Sequence, residues 1–180
     1  MHEVVISPKE FYDPVQNLFY ESKGGKFVIE HSLVSISKWE SKWHVPFLSD
    51  KPKTLEQSID YIRCMTVTQN VDPNLYRLID QETMDEINAY IEDPMTATWF
   101  NSKDDKRPNK EVVTAELIYY WMIAFNIPME CQKWHLNRLL TLVRVCDIKS
   151  QPQKKMGRNA TLNRNRSLND IRRRALGTRG

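Results

Sequence analysis

Short runs of apolar and β-branched residues predict a small sheet at the start of the chain. Residues 17–21 and 26–30 are two such runs, and they flank the segment Ser22-Lys23-Gly24-Gly25. Apolar runs on either side of a Gly-Gly pair are typical of a β-hairpin. Residues 4–6 form a further β-prone run. Because so small a sheet is marginal by itself, we expect a helix to cover one of its faces.

Apolar residues at spacings of three and four predict helices over the following segment. Thr54 and Gln57 match a capping box, Asp72-Pro73 matches a helix start, and Thr83 is expected to cap a further helix. The apolar faces of these four helices consist of Leu33, Ile36, Trp39 and Trp43; Leu55, Ile59 and Ile62; Leu75, Leu78 and Ile79; and Met84, Ile87 and Ile91.

The two strongest helical patterns span residues 111–126 and 130–149. The first is apolar on much of its surface and is predicted to be central, and the short linker at Pro128 predicts that the two are antiparallel neighbours. The expected fold is a mainly α domain of five or six helices with a small N-terminal β-hairpin. Its core is expected to include Leu117, Trp121, Leu136, Leu139, Leu140 and Val143.

Charge divides the chain into two parts. Residues 149–180 contain ten Lys or Arg and one acid, a net charge of +9, whereas residues 1–148 contain sixteen basic and twenty-two acidic residues, a net charge of −6. We therefore predict an acidic helical body (1–148) and a flexible, basic C-terminal arm (149–180), in which a short helix near 166–176 is possible. A tail with its own charge indicates a tail with its own binding partner.

The candidate partner-binding residues are two of the five tryptophans, for which a core position and an interface position both remain open, and the cations of the arm. Trp is the favoured anchor of protein interfaces, and clustered cations suit an acidic partner. Nucleic acid is a less favoured partner, because the arm has no aromatic residue to stack on single-stranded bases and the body is acidic. These candidates are Trp43, Trp99, Lys154, Lys155, Arg158, Arg164, Arg166, Arg172, Arg173 and Arg174.

Chemistry that would indicate an enzyme is scarce. The sequence has no GxGxxG, GxxxxGK[ST] or HExxH motif, and its three cysteines form no CxxC pair. Cys131 and His135 are four residues apart, but a structural zinc site needs two more ligands. The expectation is therefore no enzymatic activity, no metal and no cofactor. A mean hydropathy of −0.58 and the lack of a long apolar run or a signal peptide predict a soluble cytoplasmic protein without a membrane partner.

Several strings together resemble a family of tailed-phage proteins encoded among the tail genes. They are HSLVSISKWES (31–41), MTATWF (95–100), TAELIYYWM (114–122), WHLNRLLTL (134–142) and the C-terminal LGTRG. The family is usually described as tail assembly chaperones. The resemblance implies a small helical protein, present in the host cytoplasm during assembly, that coats the tape-measure protein and hands it to the tail-tube protein.

Alternatives to the chaperone function remain open at this point. The same chain would suit a structural virion protein of the tail or of the head–tail connector, and a homo-oligomer is compatible with either role. A third hypothesis is a nucleic-acid-binding protein that uses the basic arm.

Overall fold

A computed structural model describes residues 1–13, 17–100, 112–151 and 158–177. The chain is mainly helical with a small antiparallel sheet near its N-terminus, which confirms the predicted fold class. Two compact units are present, Met1–Asp147 and Ile148–Gly180. Among the described residues, no helix is both long and apolar enough to cross a lipid bilayer.

The N-terminal sheet is one long hairpin with a bend. Its strands are β1 (His2–Ile6), β2 (Lys9–Asp13), β3 (Leu18–Ser22) and β4 (Gly25–Ile29), with β1 paired to β4 and β2 paired to β3. The two ladders have one continuous register. Ile6 pairs with Gly25 and Lys9 pairs with Ser22, so the same number of residues lies between the ladders on each side. The predicted pairing of 17–21 with 26–30 was therefore wrong. The chain reverses between Asp13 and Leu18.

Gly24 lies at the bend of this hairpin. Its φ is +69°, and a Cβ there would lie 2.4 Å from the carbonyl oxygen of Ile6 on the opposite strand. Pro8, two residues after Ile6, has no backbone N–H and so cannot donate a hydrogen bond to the opposite strand. Gly24 therefore permits a close backbone approach between the two strands.

Six α-helices and two 3-10 helices follow in the described residues. The capping box of Thr54 and Gln57 and the Asp72-Pro73 start are confirmed. The cap of the fourth predicted helix was wrong by three residues, because the side chain of Asp80 accepts the N–H of Thr83. The helices are α1 (Leu33–Trp43), α2 (Leu55–Met65), a 3-10 helix (Pro73–Leu78), α3 (Gln81–Glu92), α4 (Ala115–Ala124), a 3-10 helix (Met129–Lys133), α5 (Leu136–Ser150) and α6 (Arg158–Leu176).

Helix α1, not α4, is the central helix of unit 1. It packs against α2, α4 and the 3-10 helix Met129–Lys133, and α4 packs more extensively on α1 than on α5. The predicted antiparallel pairing of α4 with α5 is therefore not the main packing of α4. The largest fully buried side chains are Trp39, Phe27, Ile29, Leu33, Ile36, Ile62, Met65, Ile87, Ile118, Met122, Leu136 and Leu139.

Half of the predicted core positions are buried. Leu136, Leu139 and Val143 are inside, while Leu140 is partly buried against the core. Leu117 and Trp121 are only half-buried, because α4 turns another side inward: Ala115, Ile118 and Met122. A helix that is apolar all round does not reveal its buried face by periodicity.

Candidate interaction surface

The outward side of α4 is an exposed apolar surface. Tyr120 is 63% exposed and Ile123 is 67% exposed, and Val112, just before the helix, is 56% exposed. Leu117 and Trp121 are half-buried along one flank. These five residues are called the α4 face below. Within the helix, Glu116 carries the single charge.

Local sequence explains why this side faces outward. Thr114 caps α4 by accepting the N–H of Leu117, which fixes where the first turn begins. Ala115, Ile118 and Met122 follow at helical spacing and point into the core. The opposite side must then carry Tyr120 and Ile123. Exposed apolar residues that cluster on one side of a helix are typical of interaction sites, and helical spacing places the exposed carboxylate of Glu116 among them.

Glu40 of α1 holds the start of α4 in place. Its carboxylate, which is buried, accepts the backbone N–H of Ala115 at 2.8 Å and that of Phe47 at 2.7 Å. The Ala115 N–H is one of those that a helix start leaves without an intrahelical partner, and negative charge is favourable at this end. The α4 face is therefore presented on a firmly positioned helix.

The two candidate tryptophans have different environments. Trp43 is half-buried, its ring centroid lies 6.2 Å from that of Trp39, and its Nε1–H donates to Asp60 at 2.9 Å. Trp99 is 80% exposed. Next to it, Phe100 lies under the guanidinium of Arg144 at 4.0 Å. Trp43 thus packs within the body, whereas Trp99 is accessible to a partner.

The basic candidates belong to the C-terminal segment. Lys154 and Lys155 lie outside the described residues. Arg158 is the first residue of α6, which spans 19 residues and is longer than the predicted 166–176 helix. The remaining candidates on α6 are all exposed: Arg164, Arg166, Arg172, Arg173 and Arg174.

A buried polar cluster, which periodicity did not predict, joins four elements of unit 1. Tyr61 and His31 Nδ1 share a hydrogen bond of 2.5 Å, and the rings of His31 and His135 meet edge to face at 5.0 Å. His135 Nε2 lies 3.0 Å from the carbonyl oxygen of Tyr90, whose hydroxyl donates to Glu30 at 2.8 Å. The strand-like bridge between Ser32 and His135 brings these groups together. Because these residues lie far apart in the chain, sequence spacing alone does not predict that they form a cluster.

Burial gives this cluster a clear electrostatic character. It lowers the pKa of His31 to about 3, with a further contribution from the nearby His135, and it also lowers the pKa of His135. Burial raises the pKa of Tyr61 well above its usual value. All three groups are neutral near pH 7, which suits a structural cluster in the interior.

Protonation of His31 should make the protein less stable in mild acid. The pKa of His31 is lowered in the folded state. Below about pH 6.5 this histidine therefore binds a proton in the unfolded chain but stays neutral in the folded chain, which favours unfolding. We expect His31→Gln to remove about 2 kcal/mol of the stability lost between about pH 6.5 and 4.5. Urea unfolding at a series of pH values measures this loss.

The exposed His44 provides the control for this experiment. The substitution His44→Gln measures how far the loss of a histidine outside the buried cluster alters the pH dependence of the unfolding free energy. Equal pH dependence in the wild type and in His31→Gln would show that His31 is not the titrating group.

The Cys131 and His135 pair does not form part of a larger ligand set in the described residues. Cys131 lies in the 3-10 helix Met129–Lys133 and His135 immediately precedes α5, so the two do not share one helix. Across the described ranges, no group of three or more His, Cys, Asp or Glu is placed to hold a metal ion. Comparison with protein families, curated proteins and solved structures found no match.

Proposed function

We propose that this protein is a chaperone-like tail assembly factor of a tailed phage, acting in the host cytoplasm and binding the tape-measure and tail-tube proteins. The observation that supports this proposal most directly is the α4 face, an exposed apolar surface on a firmly held helix. Its work is done by binding, so it needs no catalytic group. The resemblance described above supplies the class of partner.

The composition of the α4 face suits a helical partner. Tyr120 and Trp121 offer large aromatic surfaces with polar ends, and Leu117 and Ile123 add aliphatic area. An amphipathic helix binds such a surface through apolar residues at helical spacing. Aromatic residues near the centre of an interface supply much of its binding free energy. An assembly chaperone would in this way cover an apolar helix of a tail protein until the tail polymerises.

Substituting the centre of the α4 face should weaken partner binding. The change Ile123→Lys places a charge in the apolar interface, and Tyr120→Ala removes its largest exposed ring. We expect each to reduce affinity for the co-expressed tape-measure protein of the same phage by about tenfold or more. Co-purification followed by titration calorimetry measures the effect.

Leu55 provides a matched control on a different helix. It is 72% exposed at the start of α2, so Leu55→Lys adds the same charge at a comparably exposed aliphatic position. Affinity should stay within about twofold of the wild type. All three variants should unfold at nearly the wild-type denaturant concentration, because the substituted side chains are exposed. Equal losses in Ile123→Lys and Leu55→Lys would exclude the α4 face as the binding surface.

The chaperone role and the structural virion role differ in whether the protein is present in mature virions. Mass spectrometry of purified virions should detect no stoichiometric amount of an assembly chaperone. Stoichiometric presence in mature particles would overturn the chaperone proposal and support a structural subunit of the tail or the head–tail connector.

A further inference from the structure

Helix α6 has an unusual choice of basic residue. It contains six arginines and no lysine, whereas lysine outnumbers arginine by fourteen to six in the rest of the chain. A general positive charge for solubility is met by either residue. The planar guanidinium differs in donating paired hydrogen bonds to phosphates, to carboxylates and to the edges of guanine bases. The arginine bias therefore points to a partner with such acceptors.

Asparagine is the second unusual feature of α6. Four asparagines lie in this helix, at 159, 163, 165 and 169. Asparagine is a poor helix former, and the side chains from residue 162 to 177 are all exposed, so burial does not account for Asn163, Asn165 and Asn169. The side-chain amide pairs well with an adenine edge in the major groove of duplex DNA.

Helical spacing collects these residues on one face. Asn163, Arg166, Asn169 and Arg173 are separated by three, three and four residues, which places them in a single stripe along α6. Leu168 and Ile171 lie on another side of the helix. By the same spacing Asp170 and Leu162 fall in this sector too, and the asparagines and arginines beside them are the two types of side chain most suited to reading base edges. We call these four residues the Asn/Arg stripe.

We propose that α6 binds duplex DNA, with the Asn/Arg stripe in the major groove and flanking arginines on the phosphates. A helix of this length spans about 28 Å and has the diameter that the major groove admits. Arg172 and Arg174 lie on either side of the stripe, where a helix in the groove meets the two backbones. This function goes beyond tail assembly through the α4 face and uses a different part of the chain.

A duplex suits these features better than a single strand or an acidic protein does. Residues 149–180 include no aromatic side chain, so the base stacking that proteins use on single strands is missing. An acidic protein surface would match the cations, but it gives no role to the asparagines. Basic helices that cross the major groove are an established way to bind DNA.

The test uses the full-length protein and a random-sequence duplex of about 20 base pairs, at about 50 and 200 mM salt. The double variant R172A/R174A, which removes the two flanking arginines, should weaken binding by about tenfold or more at the lower salt concentration and should make log K about two units less steep in log salt. The control K51A/K133A removes two exposed cations from the body and should change affinity by less than about twofold.

The asparagines are tested separately because they carry no charge. Selection from a randomised duplex library should yield preferred sequences for the wild type, and N163A/N169A should lose that preference while keeping its salt dependence. Since alanine favours helix, this variant does not weaken α6. Circular dichroism of each variant should confirm unchanged helical content.

Several outcomes would overturn the proposal. One is no binding of the wild type at the lower salt concentration, and another is equal losses in R172A/R174A and K51A/K133A. A third is binding to a single strand or to polyglutamate that is as tight as binding to the duplex. If N163A/N169A kept the sequence preference of the wild type, the Asn/Arg stripe would not be what reads the bases in the groove. The variant Ile123→Lys should bind DNA like the wild type, so failure of the α4 proposal and failure of this one are distinguishable.

Discussion

Replacing Glu40 by alanine is expected to lower the free energy of unfolding by about 4 kcal/mol. The buried carboxylate accepts two backbone N–H groups, those of Phe47 and Ala115, and truncation of the side chain removes both acceptors. Each buried donor left without an acceptor costs about 1–3 kcal/mol. The cavity adds to this loss. Chemical denaturation monitored by tryptophan fluorescence measures the change.

The neighbouring acid Glu116 is the natural control for Glu40. It lies in the first turn of α4 but is exposed, so Glu116→Ala loses mainly a weak interaction with the helix dipole, about 0.5 kcal/mol. The change Glu40→Gln should fall between the two alanine variants, because one of its oxygens can still accept. Similar losses for Glu40→Ala and Glu116→Ala would mean that charge near α4, and not the paired hydrogen bonds, stabilises this junction.

Replacing Gly24 by alanine is expected to destabilise the protein by about 3 kcal/mol. Two effects combine, since the positive φ of Gly24 is unfavourable for alanine and the new Cβ would lie far too close to the backbone of Ile6 and Pro8. The obstructing atoms belong to the backbone, so no side-chain rotation relieves the contact. Thermal unfolding should show a reduced midpoint, and amide exchange should be faster in β1 and β4.

Gly177 separates the two causes of this destabilisation. Its φ of +62° resembles that of Gly24, but nothing lies within 4 Å of a Cβ placed there. Gly177→Ala should therefore show only the conformational cost, about 1 kcal/mol of local helix stability, and should leave the unfolding of Met1–Asp147 unchanged. If Gly24→Ala were as mild as Gly177→Ala, the close approach at the bend would not be a constraint on the hairpin.

Helices with one polar and one apolar side were predictable from their residue pattern. The pattern of Leu33, Ile36 and Trp39 identified α1 and its buried side, and the capping box of Thr54 and Gln57 marked the start of α2. These signals act over one or two turns, through side chains that contact each other or the adjacent backbone. Local interactions of this kind are available to sequence reasoning.

Pairing between strands was not predictable in the same way. The run of residues around Gly24 and Gly25 had the pattern of a hairpin turn, yet Gly25 pairs with Ile6 and it is Asp13 and Leu18 that pair at the far end of the strands. Both arrangements satisfy the same local preference of glycine for unusual backbone angles. Which residues face one another depends on the partner strand, and that choice is made by burial against the helices.

The candidate α4 face shows the same limit at the level of function. The sequence predicted an apolar helix here but assigned Leu117 and Trp121 to the core, whereas Ala115, Ile118 and Met122 occupy it. Trp99 and Trp43 were equal candidates in the sequence, and only their exposure distinguishes them. The buried contacts among His31, Tyr61 and His135 likewise involve residues far apart in the chain.

By itself, the sequence determined the mainly helical class, most helix positions, and the contrast between an acidic body and a basic C-terminal segment. These follow from residue periodicity, capping and charge, which act locally or depend only on composition. The tertiary structure alone decided the hairpin register, the central place of α1 and the outward side of α4. Those features depend on which distant surfaces bury one another, and the free energy of that burial is not encoded in any single segment.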